Sequence, residues 1–138
     1  MNRADLKQVS MIRQREARAL LDAGLFHGSY YLLGYAVECA LKACVAKQVN
    51  RFDFPNKELT NKVYTHNLEQ LVSAAGLAED LANDKKARRP LALNWATANE
   101  WREESRYNPV ISEKEARDMY SACTEQKDGI LPWIRERW

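Results

Sequence analysis

Long apolar runs are missing from this chain of 138 residues: no stretch approaches the ~20 consecutive apolar residues that cross a bilayer, so no membrane partner is expected. The first residues carry charge at Arg3, Asp5 and Lys7 with no apolar segment behind them, so no secretion signal is expected. Cysteine is scarce. Cys39, Cys44 and Cys123 are odd in number and lack CxxC spacing, and two of them fall in an apolar helix; this suits reduced, buried thiols in the cytoplasm. An excess of one charge is missing too. The net charge is +2, so nucleic acid is not demanded by the molecule as a whole, and any such case rests on a local patch, the best being Lys85-Lys86-Ala87-Arg88-Arg89. Only two histidines occur, and the Glu-x-x-His pattern of di-iron bundles is absent. His66 and Glu69 have the spacing, but one pair on a short helix builds no site, so no metal or cofactor is expected. The glycines form no phosphate-cradling loop. Strand-period alternation and internal repeats are absent as well.

What is there is helical period. Leu6, Val9, Ile12 and Leu20 define a helix near 4–23, with Gly24 as its stop. A second should run over 29–48 with Ser29 as N-cap, apolar on nearly every face and therefore central. Residues 49–64, with Pro55, read as a loop, and a short helix follows at 67–75, ended by Gly76. After a polar stretch, Pro90 suits the first turn of a helix over 90–106, whose inward stripe is Leu91, Trp95, Ala98 and Arg102. The last helix, 112–128, opens with the capping pair Ser112 and Glu115, and Gly129 and Pro132 should break it. The expected fold is all-α, a single domain over 1–138: an up-and-down bundle of four principal helices plus one or two short ones.

Glu38 is the most informative position, because a carboxylate on so apolar a helix needs a partner. Lys42 lies at i+4 but can swing outward, whereas Arg102 and Arg106 extend an inward stripe and are the expected partners. One reading is a structural ion pair; the other is a polar site. Arg102 and Arg106 together suit a phosphate, with Tyr107 or Trp101 as a surface for a base. His66, at a helix start, is expected to cap backbone N–H groups, with no nucleophile or paired acid near it in sequence, and His27 is expected in a loop.

The run Tyr35-Ala-Val-Glu38-Cys-Ala-Leu41-Lys42-Ala resembles the signature helix of HEPN domains, the higher eukaryotes and prokaryotes nucleotide-binding fold. His66-Asn-Leu68 at a helix start and Arg106-Tyr107 before Pro109 are similar to a bacterial stand-alone subgroup. The resemblance implies a bundle that dimerises and works in toxin–antitoxin modules, phage defence or RNA processing, in some systems beside a nucleotidyltransferase-type antitoxin. Active members carry Arg, four to six residues, then His, and cleave RNA without a metal. Here Arg102 is followed, after five intervening residues, by Asn108. An amide side chain cannot accept and return a proton near neutral pH, so little or no metal-independent RNase activity is expected, with affinity for RNA or nucleotide retained.

Three functions follow. A non-catalytic module binding RNA, nucleotide or a protein leads. An RNase with the altered motif Arg102 and Asn108 is the second, and a structural homodimer without ligand is the third. Trp101, Trp133 and Trp138 exceed what capping the core needs and, with the family, point to a homodimer.

Overall fold

Asn2 accepts the backbone N–H of Asp5 while the Asp5 carboxylate accepts that of Asn2, and this reciprocal cap opens the first helix. The computed structural model describes residues 1–51 and 64–138. These form seven α-helices: α1 (Arg3–Asp22), α2 (Phe26–Arg51), α3 (Leu68–Ala74), α4 (Ala78–Ala87), α5 (Arg89–Asn99), α6 (Glu113–Thr124) and α7 (Ile130–Arg135). A 3-10 turn spans Glu103–Tyr107, and no β-strand occurs among the described residues. The protein is all-α, as its apolar periods require, with α1, α2, α5 and α6 as the principal helices and three short ones where one or two were expected.

Helix α2 is the axis. It buries Leu33, Ala36, Val37, Ala40, Leu41, Ala43, Cys44 and Val45, and α1, α3, α6, α7 and the 3-10 turn all pack against it. A fully buried Leu or Ile contributes ~1.5–3 kcal/mol, so this packing outweighs intrinsic propensity in holding short helices such as α3 and α7. Two buried serines fasten α1 to α2: Ser10 Oγ donates to the Ala36 carbonyl at 2.7 Å and Ser29 Oγ to that of Ala17 at 2.8 Å. Ser29 is thus not the N-cap. Gly24, at φ +76°, closes α1 and turns the chain straight into α2 at Phe26. The C-terminal end of α2 runs on to Arg51, into the segment expected as loop; the rest of that segment, 52–63 with Pro55, lies outside the described residues.

The polar stretch after Gly76 is itself a helix, α4. Only Leu81 of its residues is buried, too sparse a stripe to register as a period. Its charges suit the helix dipole, with Glu79 and Asp80 in the first turn and Lys85 and Lys86 in the last. Asp84 anchors it by accepting from Trp133 Nε1 at 2.8 Å and from Arg137 at 3.1 Å. The basic knot is therefore a helix end, and its Arg88 is held by the buried Asp128 at 3.0 Å.

Helix α5 buries Leu91, Trp95 and Ala98 but stops at Asn99, short of the expected 106. Beyond it Trp101 turns inward and is fully buried, leaving Arg102 extended and exposed. Ser112 caps α6 by accepting from the Glu115 N–H at 3.0 Å. That helix ends at Thr124, and Gly129 caps α7, which carries Pro132 in its first turn. Trp133 is buried as well, and Trp138 is half-buried beneath Lys7 and Arg135. Trp101 and Trp133 fill the core of one chain and so give no reason to expect an interface.

Candidate functional site

Gly34 seats Trp101. A Cβ at position 34 would fall on the indole, so only glycine lets the ring approach α2 this closely. Tyr31 and Tyr35 flank it, with ring centroids 6.3 and 6.1 Å from the indole. Burial, then the Glu38 charge, pushes the Tyr35 hydroxyl upward in pKa.

One turn further along α2, Glu38 is 1 % exposed, inward as expected. Its partners are not the arginines. Oε1 lies 2.8 Å from His66 Nδ1 and Oε2 lies 3.3 Å from Lys42 Nζ, so both oxygens are engaged. The expected link to Arg102 or Arg106 fails because α5 ends before either residue, which removes the helical stripe that would have turned them inward. Lys42 stays mostly buried instead of swinging out. Nor does His66 cap α3; Asn67 does, accepting from the Gln70 N–H at 3.0 Å, which frees the imidazole for Glu38. His27 is on α2, its Nε2–H donating to the Ser105 carbonyl at 2.9 Å and tying the 3-10 turn to the helix.

Arg102 donates through Nη1 to the carbonyls of Asn99 and Trp101 at 2.5 and 2.8 Å, which braces one side of its guanidinium. Arg106 pairs with Glu103 at 3.0 Å and lies 4.6 Å from the ring centre of Tyr107, which is exposed. Tyr31, the largest influence, and Glu103 raise the pKa of Arg106 further. Asn108 is exposed, and its Oδ1 accepts the Val110 N–H at 3.0 Å, closing the turn before Pro109.

An open cleft of about 460 Å³ separates the segment Tyr64–Asn67 from Arg102–Glu104. It brings His66 and Arg102, far apart in sequence, to one opening. Arg102 supplies its donors, His66 presents its outer ring nitrogen, Glu103 is neutralised by Arg106, Glu104 adds one negative charge, and the exposed ring of Tyr64 forms part of the wall. Of the residues read from the sequence, His66 and Arg102 thus line this cleft, Glu38 stands behind His66 with Lys42 on its other oxygen, and Arg106, Tyr107 and Asn108 lie along the adjoining turn. Tyr64 was not read from the sequence, and no spacing signals it. Among the described residues no three His, Cys, Asp or Glu side chains come together to hold a metal. No family model, curated protein or solved structure matches the chain.

Proposed function

We propose that this chain is a HEPN-like helical module that binds RNA or a nucleotide by seating a phosphate between Arg102 and His66. The observation that carries the reading is the shared cleft, which places a braced guanidinium opposite an imidazole whose inner nitrogen is already engaged. The exposed ring of Tyr64 in the cleft wall suits a base. Mixed charge around the opening, with Glu104 present, favours recognition of one phosphate over tracking of a long polyanion. The resemblance in Tyr35–Ala43, His66–Leu68 and Arg106–Pro109 supports the same reading. It adds a homodimer, a cytoplasmic setting and a toxin–antitoxin or phage-defence context with a nucleotidyltransferase-type antitoxin as partner.

Fluorescence anisotropy with a labelled single-stranded RNA and a labelled adenosine nucleotide tests it. Arg102→Ala should weaken binding about tenfold, since charge-assisted hydrogen bonds contribute about 1.5–3 kcal/mol. Binding that Arg102→Ala leaves unchanged, or no binding at all, overturns the cleft as the site.

A further inference from the structure

We infer that His66 is the proton acceptor for cleavage of a phosphodiester by its own neighbouring 2′-hydroxyl, held in the required tautomer by Glu38. The inference rests on RNA binding at the cleft and goes beyond it by assigning a reaction and the residue that drives it. It also reverses the expectation of inactivity drawn from Asn108, because a base reaches the site from a different element.

A carboxylate accepts hydrogen bonds and does not donate them, so the proton between Glu38 Oε1 and His66 Nδ1, 2.8 Å apart, belongs to the imidazole. A neutral ring protonated on Nδ1 has a bare lone pair on Nε2. That atom has no hydrogen-bond partner among the described residues, and the side chain is 42 % exposed where it lines the cleft. Lys42 on the second Glu38 oxygen fixes the carboxylate from the other side, so the ring is oriented by a group that cannot rotate away. Arg102, across the cleft, supplies positive charge for the phosphoryl oxygens. Asn108 offers neither service: its amide does not exchange protons near neutral pH, and its oxygen is taken by Val110.

In the step itself, Nε2 removes the proton of the 2′-hydroxyl while that oxygen attacks phosphorus. The new P–O2′ bond forms, the P–O5′ bond breaks with its electron pair leaving on O5′, and O5′ takes a proton from the imidazolium. The products are a 2′,3′-cyclic phosphate and a free 5′-hydroxyl, with no oxidant or co-reactant required. His66 is the catalytic residue and Glu38 a positioning residue.

The test is single-turnover cleavage of a labelled single-stranded RNA in EDTA, with anisotropy on the same samples and circular dichroism to verify folding. Wild type should cleave, and a copy of the RNA made with 2′-deoxyribose should bind and stay intact. His66→Ala should lose about a hundredfold or more in rate at saturating protein, with part regained on adding imidazole. Glu38→Gln should lower the cleavage rate at saturating protein with little change in the protein concentration that half-saturates it, and Glu38→Asp should recover part of the loss. Binding without cleavage by the wild type overturns this inference alone, as does cleavage that survives His66→Ala or disappears only in Asn108→Ala. Absence of binding removes both the inference and the reading beneath it.

Discussion

His66 Nδ1 and Glu38 Oε1 meet at 2.8 Å across 28 positions of sequence, joining the start of α3 to the middle of α2. The contact, with Lys42 on the other oxygen, satisfies a carboxylate buried in the core. It also ties the wall of an open cleft to the most buried helix of the protein.

Removing that carboxylate strands Lys42 in a mostly buried position and leaves a void. Glu38→Ala is expected to destabilise the fold by about 3 kcal/mol, the low end for breaking a buried pair because His66 and Lys42 can still reach water. Arg102→Ala and Arg106→Ala, both exposed, should leave stability almost unchanged. Urea denaturation of the three variants checks the contrast, and equal losses would contradict the assigned pairing.

Gly34→Ala should cost about 1–3 kcal/mol or more, because the new methyl drives Trp101 from its seat. Displacing the indole also moves Arg102, its neighbour in sequence. The variant should therefore show red-shifted tryptophan emission and weaker RNA binding together, and loss of neither would place the indole elsewhere.

The three cysteines are free and buried, and burial raises their pKa values, from 9.0 to about 11 for Cys39 and for Cys44. The folded chain keeps these protons after the unfolded chain has released them. For Cys39 and Cys44 this contribution to stability is thus complete below about pH 9 and is lost as pH rises from about 9 to 11. Denaturation midpoints measured across that interval should fall less steeply in Cys39→Ala and Cys44→Ala than in wild type. Iodoacetamide should label the native protein slowly at pH 8 and the urea-unfolded protein fast.

Pairing of two copies should double the 15.9 kDa mass in light scattering without changing how iodide quenches Trp101 and Trp133, since both are already enclosed within one chain. Quenching that rises on dilution would place one of these rings at the interface.

The sequence is most legible where local chemistry decides. Gly24 and Gly76 end helices because their positive φ is open to glycine, and the apolar period of α1 survives without help from the rest of the chain. It is less legible where distant residues decide. Helix α5 has no Gly or Pro at its end, and it stops where Trp101 turns in to be buried against Gly34 on another helix. Leu81 alone marks α4, whose other fastenings, Trp133 and Arg137 on Asp84, come from the far end of the chain. The candidate site divides in the same way. Glu38 was visible as an inward acid, but its partner was not, since no periodicity links α2 to a histidine just ahead of α3.

The two walls of the cleft are fastened to neighbouring turns of a single helix: Trp101, and with it Arg102, rests on Gly34, while His66 is moored at Glu38 four residues later. Four residues of α-helix rise about 6 Å, a length fixed by peptide geometry. The helix pitch thus acts as a gauge for the opening. Substitutions among the residues lining the cleft alter which groups meet a ligand, whereas the span those groups must bridge is written into α2.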